Sequence, residues 1–406
     1  MLPSGSPIVN DGRESGIETP DQPQAPANEP AAVSRTREYG LDWLRVIAFV
    51  VLIGYHTSAY FAPWPWPVKN PETSDWLSWV MIFFNRWRLP LLFFVSGAGT
   101  WFNLQRRGYR EFAFERLRRL LLPLVFGMFV IVPPQVYVER VLAGRHYGSY
   151  FEFWGTIFTF VLYPKGNLTC HHLWFLPYIL TYSLLGLPLF AMFRSPAGRA
   201  FVARLARLCE RPAFIYLLNV PNLAAALILG PHWPVTNNLT SDWANFTGSL
   251  LTFLWGFLIC GSDRFLGLVE RRRREFLFVA IAAAILVYGI RLDHALAAFS
   301  SLERRWVATL VDGYLALAMI LALVGWSRAW LNRDSAALRY ANTAVYPFYI
   351  VHQTITILLG YAWLRWDVPF VLKFPSLFAG TFLGSWIVYE AVRRHRVTRV
   401  LFGMKG

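Results

Sequence analysis

From residue 41 onward the chain is a succession of apolar runs, most of them close to 20 residues long, separated by polar segments. About 20 apolar residues in helical conformation match the hydrocarbon core of a bilayer. Only 16% of the residues are charged against 55% hydrophobic, and a soluble chain of this length would break its apolar runs with far more charge. The runs at about 41–62, 78–102, 120–137, 172–193, 213–230, 248–262, 276–290, 306–326, 343–363 and 374–391 predict about ten transmembrane helices. The expected fold is all-α, a polytopic membrane helix bundle.

The charge distribution orients that bundle. The chain carries 39 Lys and Arg against 24 Asp and Glu, a formal net charge of +15. Such a surplus can also mark nucleic-acid binding, but its placement argues against that partner. Of the 39, 27 fall in the N-terminal tail and alternate inter-run segments, 9 in the intervening segments, and Arg45, Arg86 and Arg88 inside runs. A threefold asymmetry that alternates from segment to segment is the positive-inside pattern. It places both termini in the cytoplasm, with contact to anionic lipid as a side effect. Residues 1–38 are rich in Pro, Ser, Glu, Asp and Ala and hold no apolar run, so a disordered cytoplasmic tail is expected there. They show no basic segment followed by an apolar one of signal-peptide type, so the first helix is expected to direct insertion. Residues 39–395 are then the membrane domain and 396–406 a basic cytoplasmic tail.

Two stretches depart from simple crossings. Phe151 to Tyr163 is apolar but short, and breaks at Pro164-Lys165-Gly166-Asn167. That length suits a re-entrant or interfacial segment on the outer side. In the second run, Trp76 to Phe84 reads as an interfacial helix, with Pro90 in the first turn of the true crossing. Cys170, Cys209 and Cys260 fall at different expected sides or depths and are read as unpaired. Cys170-His171-His172 lacks the spaced ligands of a closed zinc site, so no metal is expected. Tryptophans near run ends, such as Trp76, Trp79, Trp363 and Trp366, read as interfacial anchors. For Trp64, Trp66 and Trp174, stacking on a sugar is a second reading.

Four constellations carry chemistry. Arg45 and His56 have ten residues between them. Eleven steps of about 100° return to within roughly 20° of the starting direction, so both share a helix face about 16 Å apart. An arginine near the membrane surface and a deeper histidine suit an anionic ligand with proton chemistry beside it. The competing reading is a snorkelling arginine and a core histidine bonded to a neighbouring helix. Asp42, three residues before Arg45, can pair with it. Arg116 and Arg119 share a face at the start of the third run and suit phosphate, although a basic loop there is also topogenic. Ser96-Gly97, after Arg88 and Pro90, lets a helix or a ligand approach the backbone closely. His352-Gln353 sits about 15 Å into its run and must find partners inside the bundle.

Together these elements resemble the acyltransferase-3 family of bacterial integral-membrane acyltransferases. The first-helix Arg-x10-His is matched by Arg45 and His56, and Arg-x-x-Arg before the third helix by Arg116 and Arg119 with Pro123 downstream. Phe93-Phe94-Val95-Ser96-Gly97 is close to the family's Phe-Phe-x-x-Ser-Gly, with one residue rather than two before Ser. His172 to Leu176 matches His-Leu-Trp-Phe-Leu, and Tyr346 to Gln353 matches Tyr-Pro-Phe-Tyr-x-x-His-Gln. The resemblance covers about residues 38–395, and Arg88-Leu89-Pro90-Leu91 is similar to the branch that includes glucan-succinylating proteins. It implies a multi-pass protein of the cell inner membrane. It also implies transfer of an acyl group from cytoplasmic acyl-CoA to a hydroxyl of an extracytoplasmic or membrane-embedded acceptor, with a glycan expected. Acyl-CoA is then the donor substrate, and no cofactor is expected. His56 and Arg45 are the expected catalytic residues, His56 as general base or as acyl carrier. Arg116 and Arg119 are expected to bind the donor, with Asp42, Arg88, Ser96, His172, His352 and Gln353 in support. A transporter or flippase of an acidic solute is the alternative, and a non-catalytic sensor that kept the bundle is another.

Overall fold

The computed structural model describes residues 37–292 and 300–404; all but the last two residues of the expected tail at 1–38 lie outside the described residues. Among the described residues there is no β-strand. The helices are α1 (Tyr39–Ala59), α2 (Asp75–Leu104), α3 (Tyr109–Leu142), α4 (Tyr150–Gly155), α5 (Phe175–Leu185), α6 (Leu187–Arg194), α7 (Pro196–Cys209) and α8 (Val220–Leu229). They continue with α9 (Trp243–Cys260), α10 (Asp263–Arg271), α11 (Arg273–Leu292), α12 (Ser301–Leu331), α13 (Ala336–Ala362), α14 (Phe370–Val392) and α15 (Arg396–Leu401).

Each expected run falls on helix. Five helices (α1, α3, α9, α12 over Leu302–Leu331, and α14) are long and apolar enough to cross a bilayer, and α5 with α6, bent by 52°, makes a sixth if counted as one broken span. By length alone α2 (30 residues), α11 (20) and α13 (27) also reach across. The chain is therefore an all-helical, multi-pass membrane protein. Between the runs, α7 buries Val202, Ala206 and Cys209 while α10 buries Phe265, Leu266, Leu268 and Val269. Their arginines lie on the opposite faces, the pattern of helices lying along a membrane surface.

The second run is corrected. Ser74 caps α2 by accepting the Leu77 N–H at 3.4 Å, and the helix then runs unbroken from Asp75 to Leu104. No separate interfacial helix exists at Trp76–Phe84, and Pro90 lies in the helix interior. A buried bundle tolerates such a proline because packed neighbours constrain the chain and re-satisfy the freed backbone group. Over Phe151–Tyr163, α4 gives way to a tight turn at Thr156–Thr159, and Phe151, Phe160 and Leu162 are exposed. At the other end, α15 brings the buried Phe402 against Phe126 of α3, ring centroids 5.3 Å apart.

The closest helix crossing positions the site. A Cβ on Gly97 would collide with the Phe253 carbonyl, and one on Gly256 with the Phe94 carbonyl. Thus α2 and α9 touch backbone to backbone, a packing mode that only small residues permit. Gly97 serves this crossing, while its neighbour Ser96 faces a cavity.

Candidate active site

The cavity measures about 150 Å³ and is lined by Arg45 of α1, Ser96 of α2, Glu115, Arg116 and Arg119 of α3, and Tyr346 of α13. Arg116 and Arg119 flank the start of a wide turn at Leu117–Leu121, where α3 loosens from α-helical to π-helical bonding. Arg116 Nη2 donates to Thr100 Oγ1 at 3.0 Å. Arg119 Nε donates to the Gly403 carbonyl at 3.1 Å, and its Nη1 faces Glu115 at 3.5 Å. Arg45 lies 3.8 Å from Asp42. Asn342 bridges the two, accepting from Arg45 Nη1 at 3.2 Å and donating to Asp42 at 3.1 Å. Three arginines thus converge on one small space with their geometry fixed by polar neighbours.

Phe49 and Tyr349 also line this cavity, their rings meeting edge to face at 5.5 Å. Behind Tyr349 stands a histidine cluster. His352 Nδ1 lies 2.8 Å from the Tyr349 carbonyl and 3.1 Å from that of Phe348. Carbonyl oxygens only accept, so Nδ1 carries the proton and neutral His352 presents a lone pair at Nε2. That lone pair faces His56 Nδ1 at 2.8 Å, which therefore donates. His56 Nε2 is left with its own lone pair and, among the described residues, no hydrogen-bond partner. The two rings are parallel to within 1° with centroids 5.0 Å apart, and the Trp66 ring stands 5.4 Å from that of His56.

A buried amide network backs this pair. His172 donates Nε2–H to the Ile350 carbonyl at 3.0 Å and accepts from Gln135 Nε2 at 3.2 Å. Gln353 donates to Gln135 at 3.1 Å and to His171 Nδ1 at 3.3 Å, and Gln135 also reaches Thr354 at 2.6 Å. Arg88 lies apart from the other arginines, its guanidinium 3.5 Å over the ring of Tyr55, the residue before His56.

The expected residues thus gather in two groups along α1. Arg45, Ser96, Arg116 and Arg119 line the cavity, and Asp42 reaches it through Asn342. His56 and His352 form the other group, with His172 and Gln353 behind them and Arg88 beside them. Sequence reasoning missed Asn342, Glu115 and Gln135. Gln135 carried a usable signal, a polar side chain inside an apolar run; Asn342, near a helix start, carried none.

Residues 38–390 match the family model described as an acyltransferase domain, of the acyltransferase-3 type. Among known relatives, the glucans biosynthesis protein C of Salmonella heidelberg (strain SL476) and that of Salmonella typhi are each 23% identical over 340 residues, 81% of this chain and 85% of the relative. The protein of the same name from Salmonella agona (strain SL483) is 23% identical over 342 residues, with the same shares covered. No solved structure matches the chain. A match over nearly the whole described chain sets the transporter and sensor alternatives aside in favour of an enzyme. The chain belongs to the acyltransferase-3 family, and it is a multi-pass membrane acyltransferase.

Proposed function

We propose that this enzyme takes an acyl group from cytoplasmic acyl-CoA and passes it to a hydroxyl of a glycan on the far side of the inner membrane. The observation that carries this reading is the His56–His352 hydrogen bond, which leaves a basic lone pair on His56 three helical turns from a cavity of three arginines. The arginines hold the phosphates or the polar arm of CoA, since planar guanidinium groups pair with phosphate at two points. The thioester reaches past Phe49 and Tyr349 toward His56. There the acceptor hydroxyl gives its proton to His56 Nε2, its oxygen bonds to the acyl carbon, and the carbon–sulfur bond breaks. The departing thiolate takes the proton back as the thiol. As His56 becomes positive, its Nδ1–H donates more strongly to His352, which holds the ring in place. The relatives' name, glucans biosynthesis protein C, supports a glycan acceptor. Ten crossings with both termini cytoplasmic put the arginine end of α1 inside and His56 past the midplane.

Incubating membranes with labelled acyl-CoA and recovering label in the periplasmic glycan fraction tests this reading. The full-length protein should transfer label and His56→Ala should not. Label trapped on the protein itself in His56-containing samples would replace the general base with an acyl carrier. Reporters fused at Gly166 and Asn238 should read external, and those at Gly108 and Asp334 internal. An external signal at Asp334 overturns the assignment of the last three spans.

A further inference from the structure

The arginines inside the bundle differ in one respect. Arg45, Arg86 and Arg328 each face a carboxylate: Asp42 at 3.8 Å, Asp312 at 2.9 Å and Glu38 at 3.5 Å. Neither Arg116 nor Arg88 has one within 4.0 Å among the described residues; Arg116 lines the donor cavity and donates to Thr100 at 3.0 Å, whereas Arg88 is only 3% exposed. Its Nε and Nη1 are both buried without a hydrogen-bond partner. A buried guanidinium lacking a counter-ion is strongly unfavourable, and its unused N–H groups add to that penalty. Packing holds it there all the same: the Tyr55 ring lies beneath it, its centroid 3.5 Å from the guanidinium carbon. The next residue along is His56, and Arg88 is near enough to act electrostatically on both His56 and His352.

Acyl transfer creates an anion at this place. When a hydroxyl attacks a thioester, the π electrons of the carbonyl move onto its oxygen as the new carbon–oxygen bond forms and the hydroxyl proton goes to His56 Nε2. The carbonyl then re-forms, the carbon–sulfur bond breaks, and the thiolate leaves with the His56 proton. Fixed donors aimed at that oxygen in a dry site are worth far more than in water, because nothing has to reorganise. We propose that Arg88 is the oxyanion-binding residue of the transfer, its Nε–H and Nη1–H taking the charge that develops on the thioester carbonyl oxygen. This rests on the acyl-transfer reading of the His56 site. A resting arginine with unused donors is what a residue reserved for a transient anion requires.

Kinetics of the detergent-purified full-length protein test it, with acetyl-CoA and a dicarboxylic acyl-CoA as donors and the periplasmic glycan fraction as acceptor. Arg88→Gln should lower kcat by at least about 10² with both donors while leaving the donor KM within about threefold. Arg88→Lys, keeping charge but losing the fork, should retain part of the rate. A KM rise confined to the dicarboxylic donor, with acetyl transfer intact, overturns the proposal and makes Arg88 a reader of the acyl carboxylate. An unchanged kcat with both donors overturns it as well. Failure of both variants to elute as folded protein in size-exclusion assigns Arg88 to structure and overturns it too. The unmodified protein and His56→Ala separate the two levels. If no label passes from either donor to the glycan with the unmodified protein, the acyl-transfer reading itself fails; if His56→Ala is inactive while Arg88→Gln is normal, only the assignment of Arg88 falls.

Discussion

The two ends of α1 solve opposite electrostatic problems. At the arginine end, Arg45 and Arg119 are about a third exposed and each is offset by a carboxylate, Asp42 or Glu115. Charge there is plentiful, partly offset and open to a cavity, with Arg116 left as the surplus cation. At the histidine end, His352 is fully buried and the rings of His352 and His172 are held by carbonyls and amides, the nearest carboxylate being Glu139 at 3.8 Å from His171. A permanent charge needs balancing partners to sit near lipid, whereas a base needs its lone pair kept free and its tautomer fixed. The comparison teaches that holding the donor and moving the proton are separate jobs in this bundle, done by separate residues. Kinetically the arginine end should set KM and the histidine end kcat.

The largest expected effect is at His56. His56→Gln keeps a hydrogen-bonding side chain of similar reach but has no proton-accepting nitrogen, so kcat should fall by at least about 10² with the donor KM nearly unchanged. Acylation per folded protein, measured after size-exclusion, checks this. Near-normal transfer would erase the distinction between the two ends. Replacing Arg116 and Arg119 together with Gln should raise the acyl-CoA KM by about tenfold or more while sparing kcat, and Lys at both should recover only part. Unchanged acyl-CoA affinity, read by direct binding, would return these arginines to a topogenic role.

The smallest and most discriminating effect is at His352. Sequence reading gave it a supporting place in the bundle, but the structure bonds it to His56 at 2.8 Å. His352→Gln still offers an acceptor to His56 Nδ1–H and should lose about tenfold in kcat or less, whereas His352→Leu offers none and should lose more. Equal rates for the two would show that His352 fills space and does not orient the base. The pH profile of kcat in the Gln variant, compared with the unmodified enzyme, reports whether His56 titrates differently without its partner.

Much of this site was legible because it is local. The 3.6-residue period alone puts Arg45 and His56 on one face, and the same period puts Asp42 beside Arg45. Apolar length marked the runs, and each run proved helical, because lipid leaves an apolar segment no other way to satisfy its backbone. Where local rules borrowed from water-soluble helices were applied to α2, they misplaced Pro90, since the bundle and not the turn tolerates it. Contacts between helices were beyond such rules. Asn342 joins Asp42 and Arg45 across about 300 residues of chain, and His352 meets His56 across 296. No periodicity links such positions; they meet because of how the helices cross, and α2 and α9 cross closely because Gly97 and Gly256 present no side chain. The sequence by itself determined which residues are polar inside an apolar bundle, because burial makes each of them costly wherever it lies. Which of them touch, which histidine nitrogen keeps its lone pair and which arginine N–H groups stay unused were decided only by tertiary packing, because a hydrogen bond depends on distances of tenths of an ångström between separate helices.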